Sequence, residues 1–131
     1  MDILQERAVE NLTFWVSDLL VKQATVYSEF KDTMSKEMFV REFGTIKFML
    51  PRRRGNSLIA GHLATNLVKL NFPVAAMISR NLGSQLGSKY INEITQKIVV
   101  VDAGGICHYK DIKAALYKNE KIDIIVIIGE I

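Results

Sequence analysis

Two stretches of this chain, Ile98-Val99-Val100-Val101 and Ile124-Ile125-Val126-Ile127-Ile128, are apolar at every position. A strand with one wet face alternates apolar and polar residues, so unbroken runs of this length belong to strands covered on both faces, as in a parallel sheet between helices. A membrane span would require about 18 apolar residues in a row. Asp123 and Gly129-Glu130 close off the second run well short of that. Further runs of strand length, Thr45 to Leu50 and Val74 to Ser79, join Lys97 to Asp102 and Ile122 to Ile128. Between them lie helical patterns at Ser57 to Leu70, with Leu58, Ile59, Leu63, Leu67 and Leu70 on the buried side, at Leu82 to Ile94, and around Ile112 to Leu116. Alternation of this kind predicts an α/β fold, a mostly parallel sheet of about four or five strands flanked by helices.

Ahead of the sheet, Leu4, Ala8, Leu12, Trp15 and Leu19, with Val16 and Leu20, recur at three- and four-residue spacing. The spacing predicts an amphipathic helix from Ile3 to Lys22 or beyond, with Trp15 in the core in preference to an oligomer contact or a docking surface. A second short helix is expected at Lys36 to Glu42, closed by Gly44. The chain is thus read as an N-terminal helical segment, 1–43, and an α/β core, 44–131, within one domain. Composition agrees: 49% apolar and 24% charged residues with only 2 Pro exclude a disordered or collagen-like chain. The single Cys107 excludes an internal disulfide, and Asp2 stands where a secretory signal carries basic residues, so an intracellular, non-secreted protein without a membrane partner is expected.

Right-handed crossovers bring the carboxyl ends of parallel strands to one rim, where such sheets bind ligands. Three loops then matter: Pro51 to Ser57, Asp102 to Cys107, and Gly129 to Ile131. The net charge is only +3, but Arg41, Lys47 and Arg52-Arg53-Arg54 crowd one stretch, so an anionic partner is expected there. A phosphate-binding loop needs a strand, a turn with inward N–H groups, a Lys, a Ser or Thr for magnesium, and a helix. Leu50-Pro51-Arg52-Arg53-Arg54-Gly55-Asn56-Ser57 has most of these parts. It departs at Leu50, where the usual motif begins with Gly, and at Asn56, where it has Lys.

The run Phe48 to Ser57, through Pro51, Arg52, Arg53, Gly55 and Ser57, resembles the deviant Walker A motif of the large subunit of DNA-packaging terminases from tailed phages and herpesviruses. The likeness extends from Gly44 to the end, roughly two-thirds of the chain. Val74 to Ser79 with Arg80 is similar to that ATPase's second strand, and Ile124 to Glu130 to its Walker B strand. The resemblance implies a P-loop NTPase fold with ATP and Mg2+ as cofactors. Pro51, Arg52, Arg53, Arg54, Gly55, Asn56 and Ser57 would cradle the phosphates. Arg52 would contact the outer phosphate, Ser57 would hold the metal, and Glu130 would orient water. It also implies duplex DNA and other viral packaging proteins as partners, and a host cytoplasm or nucleus as location. Asn56 replaces the family's Lys, and Gly129 its magnesium-positioning Asp. Losing such a charge costs about 3 kcal/mol or more in a dry site, so hydrolysis is expected to be weak or absent. An Arg of 52 to 54 folding over the phosphates would restore charge.

Whether the chain is an enzyme is left open. The alternative is a catalytically inactive P-loop-like protein that binds protein or DNA as a regulator or scaffold. A third reading is a piece of a longer enzyme, since the family continues past Walker B through a coupling strand into a nuclease domain. An exposed sheet edge would then favour self-association or a partner strand. Plainer readings also exist for single residues: a solvated basic turn at 52 to 54, and an N-cap at Ser57. Asp102-Ala103-Gly104-Gly105 reads first as a strand-end turn, although Asp102 would join the metal site if it faced Ser57. His62 is read as structural, and the adjacent Cys107 and His108 cannot form a zinc site. The basic loop lacks the aromatic residues that single-strand binding uses for stacking.

Overall fold

The computed structural model describes residues 1–51, 55–72, 74–78, 91–103 and 109–130. Its elements run α1 (Ile3–Phe30), α2 (Lys36–Phe43), β1 (Thr45–Leu50), α3 (Asn56–Lys69), β2 (Val74–Ile78), β3 (Ile98–Asp102), α4 (Tyr109–Lys118) and β4 (Ile124–Glu130), with a helical turn at 91–93. The unbroken apolar runs lie where their composition demands. β4 and β3 are the inner strands of a four-stranded sheet ordered β1-β4-β3-β2, and every described pairing is parallel. The expected helix at 82 to 94 lies outside the described residues except for its last turn, as do Arg80, Gly104, Gly105, Cys107 and His108.

Strand parity divides the core into two layers. Ile98, Val100, Ile124, Val126 and Ile128 pack with Ile59, Leu63 and Leu67 of α3 and with Val9, Leu12 and Val16 of α1. On the other face, Val99, Val101, Ile125 and Ile127 pack with Val40 of α2, Ile91, Ile94, and Leu116 and Tyr117 of α4. The N-terminal segment therefore contributes to both layers of the core. Each buried Leu or Ile stabilises the fold by about 1.5–3 kcal/mol relative to exposure.

Helix boundaries follow local chemistry. A capping box starts α1: the Gln5 N–H donates to Asp2 Oδ1 at 2.8 Å, and the Asp2 N–H donates to Gln5 Oε1 at 3.0 Å. The helix continues beyond Lys22 to Phe30, and its foot is tied to the sheet where Gln23 Nε2 donates to the Asp123 carbonyl at 3.1 Å. α3 ends in a Schellman turn, with Asn71 at φ 64° and the Phe72 N–H returning to the Leu67 carbonyl at 3.0 Å. That turn explains why the pattern stops before Pro73.

Several expected core positions are exposed. Trp15 is 49% exposed, and Leu58 and Leu70 are exposed as well, because the inner side of each helix is filled by Val16 and Ile59, one position on from Trp15 and Leu58, and by Leu67, three before Leu70. Gly129 and Glu130 are strand residues, paired with Met49 and Leu50, where a loop was expected.

Three cations meet on the α2–α4 face. Arg41 lies over the Tyr117 ring, 5.0 Å from its centroid, and Thr45 Oγ1 donates to the Tyr117 hydroxyl at 3.2 Å. One step along β1 and one turn back along α4, the Lys47 and Lys113 side chains lie side by side. The Lys47 amine next to it, burial, and the charges of Lys47 and Arg41 hold the Lys113 ammonium below its ordinary 10.5. In the window between the folded and unfolded values the native state binds fewer protons, so this group makes stability rise with pH up to about 10.5. Lys47→Met is expected to flatten that rise, as read by melting temperature across the alkaline range.

Candidate functional site

The carboxyl ends of β1, β3 and β4 bring three sequence-predicted residues together: Gly55, Ser57 and Asp102. Gly55 precedes α3 as its N-cap in the left-handed region, φ 85° and ψ 36°, a conformation that only glycine adopts at little cost. No side chain caps this helix and its first turn carries no acidic residue. The leading N–H groups of α3 therefore present partial positive charge without a capping carboxylate or hydroxyl.

Ser57 lies inside α3, one residue past its start, and so is not the N-cap. Its hydroxyl is directed to the sheet, donating to Asp102 Oδ2 at 2.5 Å. Asp102 is the last residue of β3, is 4% exposed, and shares the parity of Ile98 and Val100, which pack on the α3 side. The two are 45 residues apart in sequence and meet because β3 ends level with the first turn of α3.

By the resemblance, β4 is the strand whose metal-positioning Asp is replaced by Gly129, yet its register argues otherwise. Gly129 shares the parity of Ile125 and Ile127, whose side chains fill the α2–α4 layer. A Cβ built on Gly129 would meet Met49 Sδ at 3.0 Å and Ala103 Cβ at 3.9 Å. An Asp there would point to the face away from Ser57. Position 129 is thus not the counterpart of a magnesium-positioning Asp, and the carboxylate that reaches Ser57 comes from β3. The Glu130 backbone pairs with Leu50 at the end of β1, and its side chain lies outside the described residues.

Asn56 occupies the position of the motif's Lys. It is 7% exposed, and neither Nδ2 nor Oδ1 has a hydrogen-bond partner among the described residues. Burying such an amide unsatisfied costs about 1–3 kcal/mol per group. Pro51 is exposed, whereas Arg52, Arg53 and Arg54 lie outside the described residues. His62 is exposed on α3, and among the described residues no group of three or more His, Cys, Asp or Glu could hold a metal by itself.

The structure adds a neighbour the sequence reading missed. The first turns of α1 sit beside the loop, and a Cβ on Gly55 would collide with Gln5 Nε2. A cavity of about 430 Å³ opens there, lined by the N-cap Asp2 and by Leu4, Gln5 and Ala8 of α1, by Phe48 and Leu50 of β1, by Pro51, and by Ile59 of α3. Gln5 at the third helical position is legible as half of a capping box. No local pattern could have placed that box against residue 55. None of the described helices is long and apolar enough to cross a membrane. Compared with known proteins, the chain matches no family model, no curated protein and no solved structure.

Proposed function

We propose that the rim around Gly55, Ser57 and Asp102 binds the phosphates of ATP together with Mg2+, and that the chain is an ATPase-like nucleotide-binding module of the terminase large-subunit kind with weak or no hydrolysis. The observation that carries this reading is the 2.5 Å contact of Ser57 Oγ with Asp102 Oδ2 at the start of α3. A hydroxyl on the first helical turn and a strand-end Asp are the pair that holds magnesium in P-loop NTPases. Both are hard oxygen donors, and magnesium takes its other ligands from phosphate and water, which suits a site with a single protein carboxylate. The αL glycine and the uncapped helix start supply the anion-facing backbone. The mainly apolar cavity beside Gly55 offers room for the remainder of a nucleotide.

Weak hydrolysis follows from Asn56: a neutral amide brings no charge to a transferring phosphoryl group. The same residue favours the alternative of a binding module that regulates or scaffolds without turnover. Asn56→Lys separates the two, because a gain of ATP hydrolysis is expected only of an otherwise intact site.

Isothermal titration with ATP tests the proposal. Binding is expected with Mg2+ and should weaken by about tenfold or more when the metal is chelated or in Asp102→Asn, the loss of one charged interaction of about 1.4 kcal/mol. No binding in either condition, or equal affinity in all three, would sink it.

A further inference from the structure

The outer face of α1 carries a second heptad pattern that the fold leaves uncovered. Val9, Leu12, Val16 and Gln23 are buried against the sheet layer. On the opposite side of the same helix, Leu4 is 75% exposed, Phe14 67% and Val21 79%, and Ile3 and Trp15 flank them, also exposed. Leu4, Asn11, Asp18 and Thr25 recur every seven residues, and so do Arg7, Phe14 and Val21, three residues after the first three of them. Together they form the a and d positions of a seam along one side of a helix. Leu4, Phe14 and Val21 supply its apolar contacts, with Arg7, Asn11, Asp18 and Thr25 between and beyond them, and exposed large apolar side chains grouped on one side of a folded domain mark an interaction surface.

The charges within the seam specify its occupant. Set against itself in antiparallel orientation, about a twofold axis between Leu12 and Thr13, the seam pairs each a position from Leu4 to Asp18 with a d position of the other copy. Leu4 then meets the second copy's Val21, Asn11 meets Phe14, and Arg7 meets Asp18, each pair occurring twice by symmetry. Parallel pairing would set Arg7 against Arg7 and Asp18 against Asp18. Asp18 already accepts from Lys22 of its own helix at 2.9 Å, and the second copy's Arg7 would approach the same carboxylate. The overlap covers about 30 Å of helix at 1.5 Å per residue. We propose that the chain forms a twofold dimer through this antiparallel pairing of α1 with α1 of a second copy.

Leu4 also lines the cavity beside Gly55, so the seam borders the proposed phosphate site, and sedimentation equilibrium on the full chain without nucleotide tests the pairing by itself. The wild-type chain is expected to dimerise. Arg7→Asp and Asp18→Arg each place two like-charge pairs in the seam and are expected to raise the dissociation constant by about tenfold or more. An equimolar mixture of the two variants sets two carboxylates of one chain against two guanidinium groups of the other and is expected to recover a heterodimer of wild-type affinity. Arg7 and Asp18 both lie on the side of α1 away from the sheet layer, so unchanged circular dichroism and melting accompany these shifts. A wild-type chain that stays monomeric, including one that binds lipid vesicles instead, overturns the proposal. So do variants that dimerise as wild type, or a mixture that fails to recover.

Discussion

Gly55→Arg is expected to abolish ATP and inorganic phosphate binding while leaving the fold in place. Two effects act together. At φ 85° and ψ 36° an arginine carries the left-handed penalty of about 1–2 kcal/mol, small against a typical folding stability of 5–15 kcal/mol. Its Cβ would then collide with Gln5 Nε2, and the chain beyond Cβ would have to run into the space between α1, β1 and α3. Gln5 can swing aside at the cost of half its capping box, but the backbone at the start of α3 can no longer be approached closely by an anion. The expected readout is loss of the titration signal with a melting temperature lowered by only a few degrees. Retained phosphate binding in a folded Gly55→Arg protein would mean that the anion-facing main chain at this rim is not the binding element. Gly55→Ala is the milder control, expected to weaken binding through strain alone.

The sheet was legible because its signal is chemical redundancy. Nine apolar residues in two runs without a polar interruption fit only strands covered on both faces, and they are the inner strands β3 and β4. What the runs could not reveal is their order. The chain visits β1, β2, β3 and β4 in sequence, yet β4 is inserted between β1 and β3, and nothing local to residues 122 to 130 encodes which neighbours they take. That order decides the site. An Asp after an apolar strand occurs at 102, and a Gly-Glu pair after another at 129 and 130. From sequence the later pair matches the deviant motif better, whereas parity turns residue 129 away from Ser57 and turns Asp102 toward it.

The same limit explains the helices. The spacing of apolar residues in α1 was readable, but two stripes were superimposed: Leu12 and Val16 face the sheet, while Leu4, Phe14, Trp15 and Val21 face out. Periodicity identifies a helix and gives no sign of which of two apolar sides finds the core. Only the position of α3, and the tether from Gln23 to the Asp123 carbonyl, choose between them.

Gly44 shows how far a single hydrogen atom matters when the backbone around it is fixed. Its φ is −110°, open to any residue, so torsion does not require glycine here. Space does. A Cβ at this position would collide with the Asp123 carbonyl oxygen and lie 3.1 Å from both the Cα and the carbonyl oxygen of Val40. None of these is the free end of a side chain. The Asp123 N–H donates to the Lys97 carbonyl at 2.8 Å, its own carbonyl accepts from Gln23, and two residues on the Ile125 N–H donates to the Gly44 carbonyl at 2.8 Å. Relieving the clash therefore means separating β1 from β4 at their first rung or displacing the end of α2. Gly44→Ala is expected to cost about 3 kcal/mol, the upper part of the overpacking range, and to lower the melting temperature by roughly 10 °C. The matched substitution at Gly61 should do the reverse. That residue is an exposed interior position of α3 with nothing within 4 Å of a built Cβ, so alanine there is expected to stabilise by about 0.5–1 kcal/mol through helix propensity. Thermal melts of the two variants beside wild type decide the matter: a Gly44→Ala protein as stable as wild type would mean that α2, β1 and β4 are not joined at that rung as described.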